Sequence, residues 1–167
     1  MEQEIEQEIM AYDEARYIDC AGYGASTTDI QLLNVGFSKF DENSNPTEKS
    51  TQYVGDKSKT NKVTGYDNQF DVDFDRIKND KVNDYCYGIF VNRKVGTDAE
   101  TYLYLVDLAD STAENIYKAR KIRVSVVIES ATNNPGESKV CSGSLKGVGD
   151  FIYGTFNTST KTFTETV

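Results

Sequence analysis

The sequence predicts a mainly β protein: a β-sandwich or barrel with one packed amphipathic α-helix at about residues 80–94. Three observations carry that prediction. Segments that alternate apolar and polar residues, or are rich in β-branched and aromatic ones, recur from residue 27 to residue 166. Stretches dense in Asp, Asn, Ser, Gly and Lys divide them. Between residues 26 and 167 a single segment carries an apolar stripe at helical spacing. A chain of 167 residues has room for one such core and not for a second.

Taken in order, residues 1–25 read as an N-terminal arm or short helix, since Ile5 and Ile9 of MEQEIEQEIM share a helical face. Residues 26–167 read as one β domain. TTDIQLLNVGF (27–37) is its first strand. FDENSNPTEKS (40–50) and GDKSKTNK (55–62) read as polar loops around a short strand at STQYV (50–54), so about 38–62 is expected to be one extended loop. TGYDNQFDVDFD (64–75) is a stronger strand. Asn79 or Asp80 then caps a helix whose Val82, Tyr85, Cys86, Ile89 and Phe90 form one core-facing stripe. Arg93 and Lys94 suit its last turn, and Gly96 supplies a stop. TYLYLVDL (101–108) reads as a buried strand, and YKARKIRVSVVIES (117–130) as a long one with Ile122, Val124, Val126 and Ile128 on one face. TNNPGESK (132–139) turns the chain, and SKVCSGSLKGVGD (138–150) alternates small and apolar residues. FIYGTFN (151–157) and KTFTET (161–166) close as a hairpin around TST.

Composition removes several functions. A net charge of -9 argues against a nucleic-acid binder, whose affinity rests on clustered Lys and Arg. With no histidine, Ser-His-Asp and Cys-His catalysis and histidine-ligated metals are excluded. Cys20, Cys86 and Cys141 form no C-x-x-C pair and read as buried thiols. GDKSKT (55–60) and GYGAS (22–26) lack the remaining features of a phosphate loop, and no cofactor is expected. Asn157-Thr158-Ser159 fits a glycosylation sequon without an export signal to support it. No apolar run is long enough to span a membrane, and the acidic start is unlike a secretory signal, so synthesis in the cytoplasm is expected.

In NQFDVDFDRIKND, Asp71, Asp73 and Asp75 occupy alternate positions. A calcium loop opening at Asp71 needs Gly at position 6 and Glu at position 12, where Arg76 and Val82 stand. Phe70, Val72 and Phe74 are the intervening residues, so the stretch reads as a half-buried strand with the aspartates outward. Such a row is a solvated face in a monomer. In an assembly it lines a channel or meets a basic strand, for which Lys118, Arg120, Lys121 and Arg123 are candidates.

From about Ser50 onward the chain resembles phage tail tube proteins, the major tail proteins of phages infecting Gram-positive bacteria. The resemblance lies in STQYVGDKSKTNKVTGYDNQFDVDFD, in the helix ending NRKVGTDAET, in IYKARKIRVSVVIES with its glycine-containing loop, and in GDFIYGTFNTSTKTFT. It covers roughly two thirds of the chain, and it rests on the order and spacing of short structural motifs. It implies a β-sandwich or barrel with a flanking helix, assembled as hexameric rings stacked into a hollow tube. DNA passes through such a lumen during ejection, without specific binding. Related tubes occur in contractile tails, phage-derived bacteriocins and type VI secretion.

The resemblance implies a non-enzymatic virion component, made in the host cytoplasm, whose partners are further copies of itself and other tail proteins: tape measure, tip or baseplate, terminator and sheath. Asp71, Asp73 and Asp75 are then expected at the lumen or against a neighbouring subunit. Asn43, Asn45, Lys57 and Lys59 are expected in an inter-ring loop. The alternatives are a monomeric β-sandwich binding module, either a virion decoration or a carbohydrate-binding domain, and an enzyme using two carboxylates.

Overall fold

The computed structural model describes residues 5–167. The strands are β1 (Glu14–Asp19), β2 (Ile30–Leu32), β3 (Phe37–Asn43), β4 (Pro46–Thr51), β5 (Thr60–Tyr66), β6 (Gln69–Asp75), β7 (Glu100–Ala113), β8 (Ile116–Thr132), β9 (Val140–Gly147), β10 (Ile152–Asn157) and β11 (Thr162–Glu165). One α-helix, α1 (Lys81–Val91), follows β6. The protein is therefore mainly β with one packed helix, as the sequence predicts.

Nine strands form one antiparallel sheet in the order β2-β1-β7-β8-β9-β6-β3, with β10 on β8 and β11 on β10. The long β8 organises it. Along one edge β8 pairs with β7; along the other, β10 takes its first half and β9 its second. The sheet curls into a half-barrel. Arg16 of β1 stacks on Phe40 of β3 at 4.8 Å, although four strands stand between β1 and β3 in the sheet order. In a flat sheet that path spans about 24 Å, so only a strong curl brings them together.

The main core fills the concave face. Phe70, Val72 and Phe74 of β6 are buried there, with Leu103, Ile122, Val124 and Leu145. The predicted face of Ile122, Val124, Val126 and Ile128 is buried throughout. α1 covers one end with Val82, Cys86 and Ile89 buried, while Tyr85 and Phe90 are half-buried against the same core. A smaller cluster on the opposite face joins Tyr17, Ile30, Tyr104, Val106, Ala119 and Phe156.

Asp80 is the cap of α1: its carboxylate accepts the Asn83 N–H at 3.0 Å. The helix ends earlier than expected, and by a different device. Arg93, with φ 50°, takes the left-handed position just past the end, with Arg93 N–H bonded to Phe90 C=O and Lys94 N–H to Ile89 C=O. Arg93 and Lys94 thus follow the last turn instead of forming it, and Gly96 opens a separate 3₁₀ turn.

Three further expectations need correcting. Within residues 1–25, Glu14–Asp19 is a strand paired on both sides, because Tyr17 and Ile18 are buried on opposite faces of the sheet. Residues 1–4 of the predicted arm lie outside the described residues, and 5–10 carry no regular structure. The extended loop at 38–62 is mostly strand: β3 runs to Asn43, and β4 and β5 pair as a hairpin. The strand predicted at 64–75 is two strands, split at Asp67 and Asn68.

Candidate assembly surfaces

β6 places Asp71, Asp73 and Asp75 on one face, opposite its buried phenylalanines, each half-buried. β6 lies between β3 and β9 and is not a free edge. Asp71 faces Asp41 across the β3–β6 ladder, and Asp73 faces Lys39. Like charges directly opposite destabilise a sheet. Asp71 is held by neutral donors instead: Asn43 Nδ2 at 2.9 Å and Gln69 Nε2 at 2.7 Å. Lys39 pairs with Asp41 at 3.7 Å, and among the described residues no cation pairs with Asp71, Asp73 or Asp75.

The four predicted cations do not share a face. Alternation along β8 sends Lys118 and Arg120 to one side and Lys121 and Arg123 to the other. Each has a partner within its own chain. Lys118 meets Asp110 at 2.8 Å, and that hydrogen bond raises its pKa above the ordinary lysine value. Arg120 makes a bidentate bond to Glu42 of β3, 2.6 Å for each nitrogen, and stacks on Phe151 at 4.6 Å. Arg123 binds Glu100 through Nε at 2.7 Å and lies over Tyr23. Lys121 sits over Tyr102 at 4.7 Å. The Arg120–Glu42 bond ties the central β8 to the margin strand β3 across the hollow of the curl, as Arg16 on Phe40 ties β1 to β3.

The β4–β5 hairpin stands apart. It forms its own two-stranded sheet, and nearly every residue in it is exposed. The predicted inter-ring residues divide between its root and its tip. Asn43 clasps Asp71, and Asn45, with φ 42°, donates Nδ2 to Asp67 C=O at 3.0 Å. Lys57 and Lys59 lie exposed in the tip loop beside Tyr53 and Val54, which are 76% and 109% exposed. Residues 46–66 hold Lys49, Lys57, Lys59 and Lys62 against Glu48 and Asp56, a basic arm on an acidic body.

Asn83 was not singled out by its sequence position, yet it is fully buried in α1 and makes four hydrogen bonds. Its Oδ1 accepts from Ile77 N–H at 3.1 Å and Arg76 Nη1 at 3.2 Å; its Nδ2 donates to Asp75 C=O at 2.7 Å and Val35 C=O at 3.5 Å. It fastens the helix to the end of the acidic strand. Gly36 must stay small here, since a Cβ would press on Asp75 C=O and on the Asn83 amide. A polar residue on the flank of an apolar helical stripe is the signal that marks it.

Among the described residues no group of His, Cys, Asp or Glu is arranged to hold a metal ion, and no helix is long and apolar enough to cross a membrane.

No protein-family model matches the chain, and no curated protein matches it. Nine chains of solved structures do. One is the tail of an empty GTA particle computed with helical refinement in C6 symmetry. The two share a TM-score of 0.57 at 8% identity, over 86% of this chain and 97% of the other. At that identity the match bears on fold alone, and the fold is tail-tube-like.

Proposed function

We propose that the chain is a structural subunit of a phage-like tail tube, assembling as hexameric rings stacked around a lumen. The β4–β5 hairpin carries this reading. A lone two-stranded hairpin is marginal in water, and this one exposes Tyr53, Val54, Val63 and Tyr66 without packing on its own body. An element of that kind is stabilised when a neighbouring copy covers it. The sheet margins β2 and β3 leave backbone edges that neighbours in a ring complete. The fold shared with a C6-symmetric tail agrees with both features.

In this reading Asp71, Asp73 and Asp75 line the lumen or meet an adjacent subunit. A carboxylate-lined channel offers DNA no phosphate contacts and lets it slide. The tape measure, the tip and the terminator are the further partners, and the role needs no catalytic residue. The test is negative-stain electron microscopy of the concentrated protein. Hollow tubes or stacked rings of sixfold symmetry are expected; a sample that stays monomeric at every concentration argues for another role.

One observation favours a second reading. Tyr66 and Tyr153 flank an open groove of about 540 Å³ together with Phe151, Asp150 and Glu42. Aromatics beside carboxylates suit a carbohydrate ligand on a monomeric module. A monomeric sample that binds glycans selects it.

A further inference from the structure

β8 is unpaired along part of one edge. β7 covers it only as far as Ser125, which faces Glu100, the first residue of β7. From Val126 to Thr132 that side of β8 has no strand beside it among the described residues, while β9 occupies the other side. The open edge borders a groove of about 270 Å³ lined by Ile89, Phe90, Val95, Ala99, Val126 and Ile128, with Arg93 and Lys94 on its rim. The groove is smaller than most small-molecule sites. An open strand edge beside small apolar hollows is the arrangement that accepts an added strand. The rim asks for an acidic one.

The chain holds such a segment. Residues 1–10 contain four glutamates and no cation. Within them Ile5, Ile9 and Met10 are 91%, 59% and 45% exposed. In extended form Ile5 and Ile9 fall on one side, and Glu6 and Glu8 on the other. This segment cannot reach the groove of its own chain. A 3₁₀ turn closed by Asp13 N–H to Met10 C=O at 2.9 Å holds Met10 beside the start of β1. There Glu14 pairs with Asp107, next to Val106, which faces Ala119 of β8. Val126 lies seven residues farther along β8 than Ala119, about 23 Å away at strand rise. Ile5, five residues from Met10, reaches at most about 18 Å. The contact is possible only between two copies.

We propose that Ile5–Met10 of one copy adds a strand to the open β8 edge of a second copy, seating Ile5 and Ile9 in the groove and Glu6 and Glu8 against Arg93 and Lys94. Donor and acceptor lie at opposite ends of β8, so the contact joins unlike surfaces head to tail and propagates. This rests on the proposed self-assembly and names a contact that builds it.

The test is thiol trapping between two full-length variants, read as dimers so that it does not depend on tube formation. Ile9→Cys in one and Val95→Cys in the other should cross-link several-fold more than Ile9→Cys with Glu114→Cys, a position at the donor's own end. Lys94→Glu in the acceptor should lower the yield to the control level, and Glu6→Lys with Glu8→Lys in the donor should restore it. Equal yields for the two pairs, or a yield unmoved by Lys94→Glu, overturn the contact. Tubes without the specific cross-link leave the tube reading standing and remove this inference; the cross-link without tubes does the reverse.

Discussion

Asn83 shows how one side chain holds the helix on the sheet. Truncating it leaves the Ile77 N–H and the Asp75 C=O without their partner in a buried site. Asn83→Ala should therefore cost about 3 kcal/mol in chemical denaturation; a loss below about 0.5 kcal/mol means that water replaces the amide. Glu14 offers a test of pH dependence. Burial raises its carboxyl above the ordinary 4.5, with Arg16 and Arg120 opposing the rise and Glu42 and Asp107 adding to it. A raised pKa means the folded state favours the proton. The stabilisation is present below the ordinary value and is lost as pH climbs through the raised one. Glu14→Gln should therefore raise the melting temperature over wild type at about pH 7 and not at about pH 4. An equal gain at both pH values contradicts burial as the cause.

At the scale of elements, the hairpin is the separable part. A deletion starting at residue 40 would also remove Phe40, which packs on Phe70 at 5.5 Å, and Glu42, the partner of Arg120. The informative cut is narrower. Replacing residues 48–63 by a short turn should leave the far-ultraviolet spectrum and melting temperature of the body nearly unchanged and abolish ring stacking. Tubes that still form after this cut place the ring-to-ring contact elsewhere. Local composition hid this hairpin. Pro46, Asn45 and the serines and lysines of 44–62 read as loop, yet Pro46 is tolerated as the first residue of β4 in an unshared edge strand. The helix and β8 were legible because their buried faces repeat at one period without interruption. β1 was not, because its side chains are buried on both faces and no alternation marks it.

For the whole molecule, charge distribution is the quantity to test. The net charge of -9 is uneven: the hairpin is basic, Lys118, Arg120 and Arg123 of β8 are paired with carboxylates of their own chain, and Asp71, Asp73 and Asp75 have no cation among the described residues. Asp71→Lys with Asp73→Lys should leave the monomer folded and either block tube assembly or slow DNA ejection in an infection assay. Unchanged tubes and unchanged titre would mean that the acidic row is simply a solvated face.

The sequence by itself determined the fold class, the placement of α1 and the burial of β6 and β8. Those follow from the period of apolar residues, which is a local property of the chain. Absence of histidine likewise excluded whole classes of chemistry without any coordinates. Tertiary structure alone decided which charges meet. Arg120 and Glu42 are 78 positions apart and come together because the sheet curls; Lys118 and Lys121 part because alternate residues of a strand face opposite ways. It also decided which edges stay open. Pairing is a relation between strands, so the end of β7 at Glu100 uncovers β8 beyond Ser125, and no pattern within β8 records it.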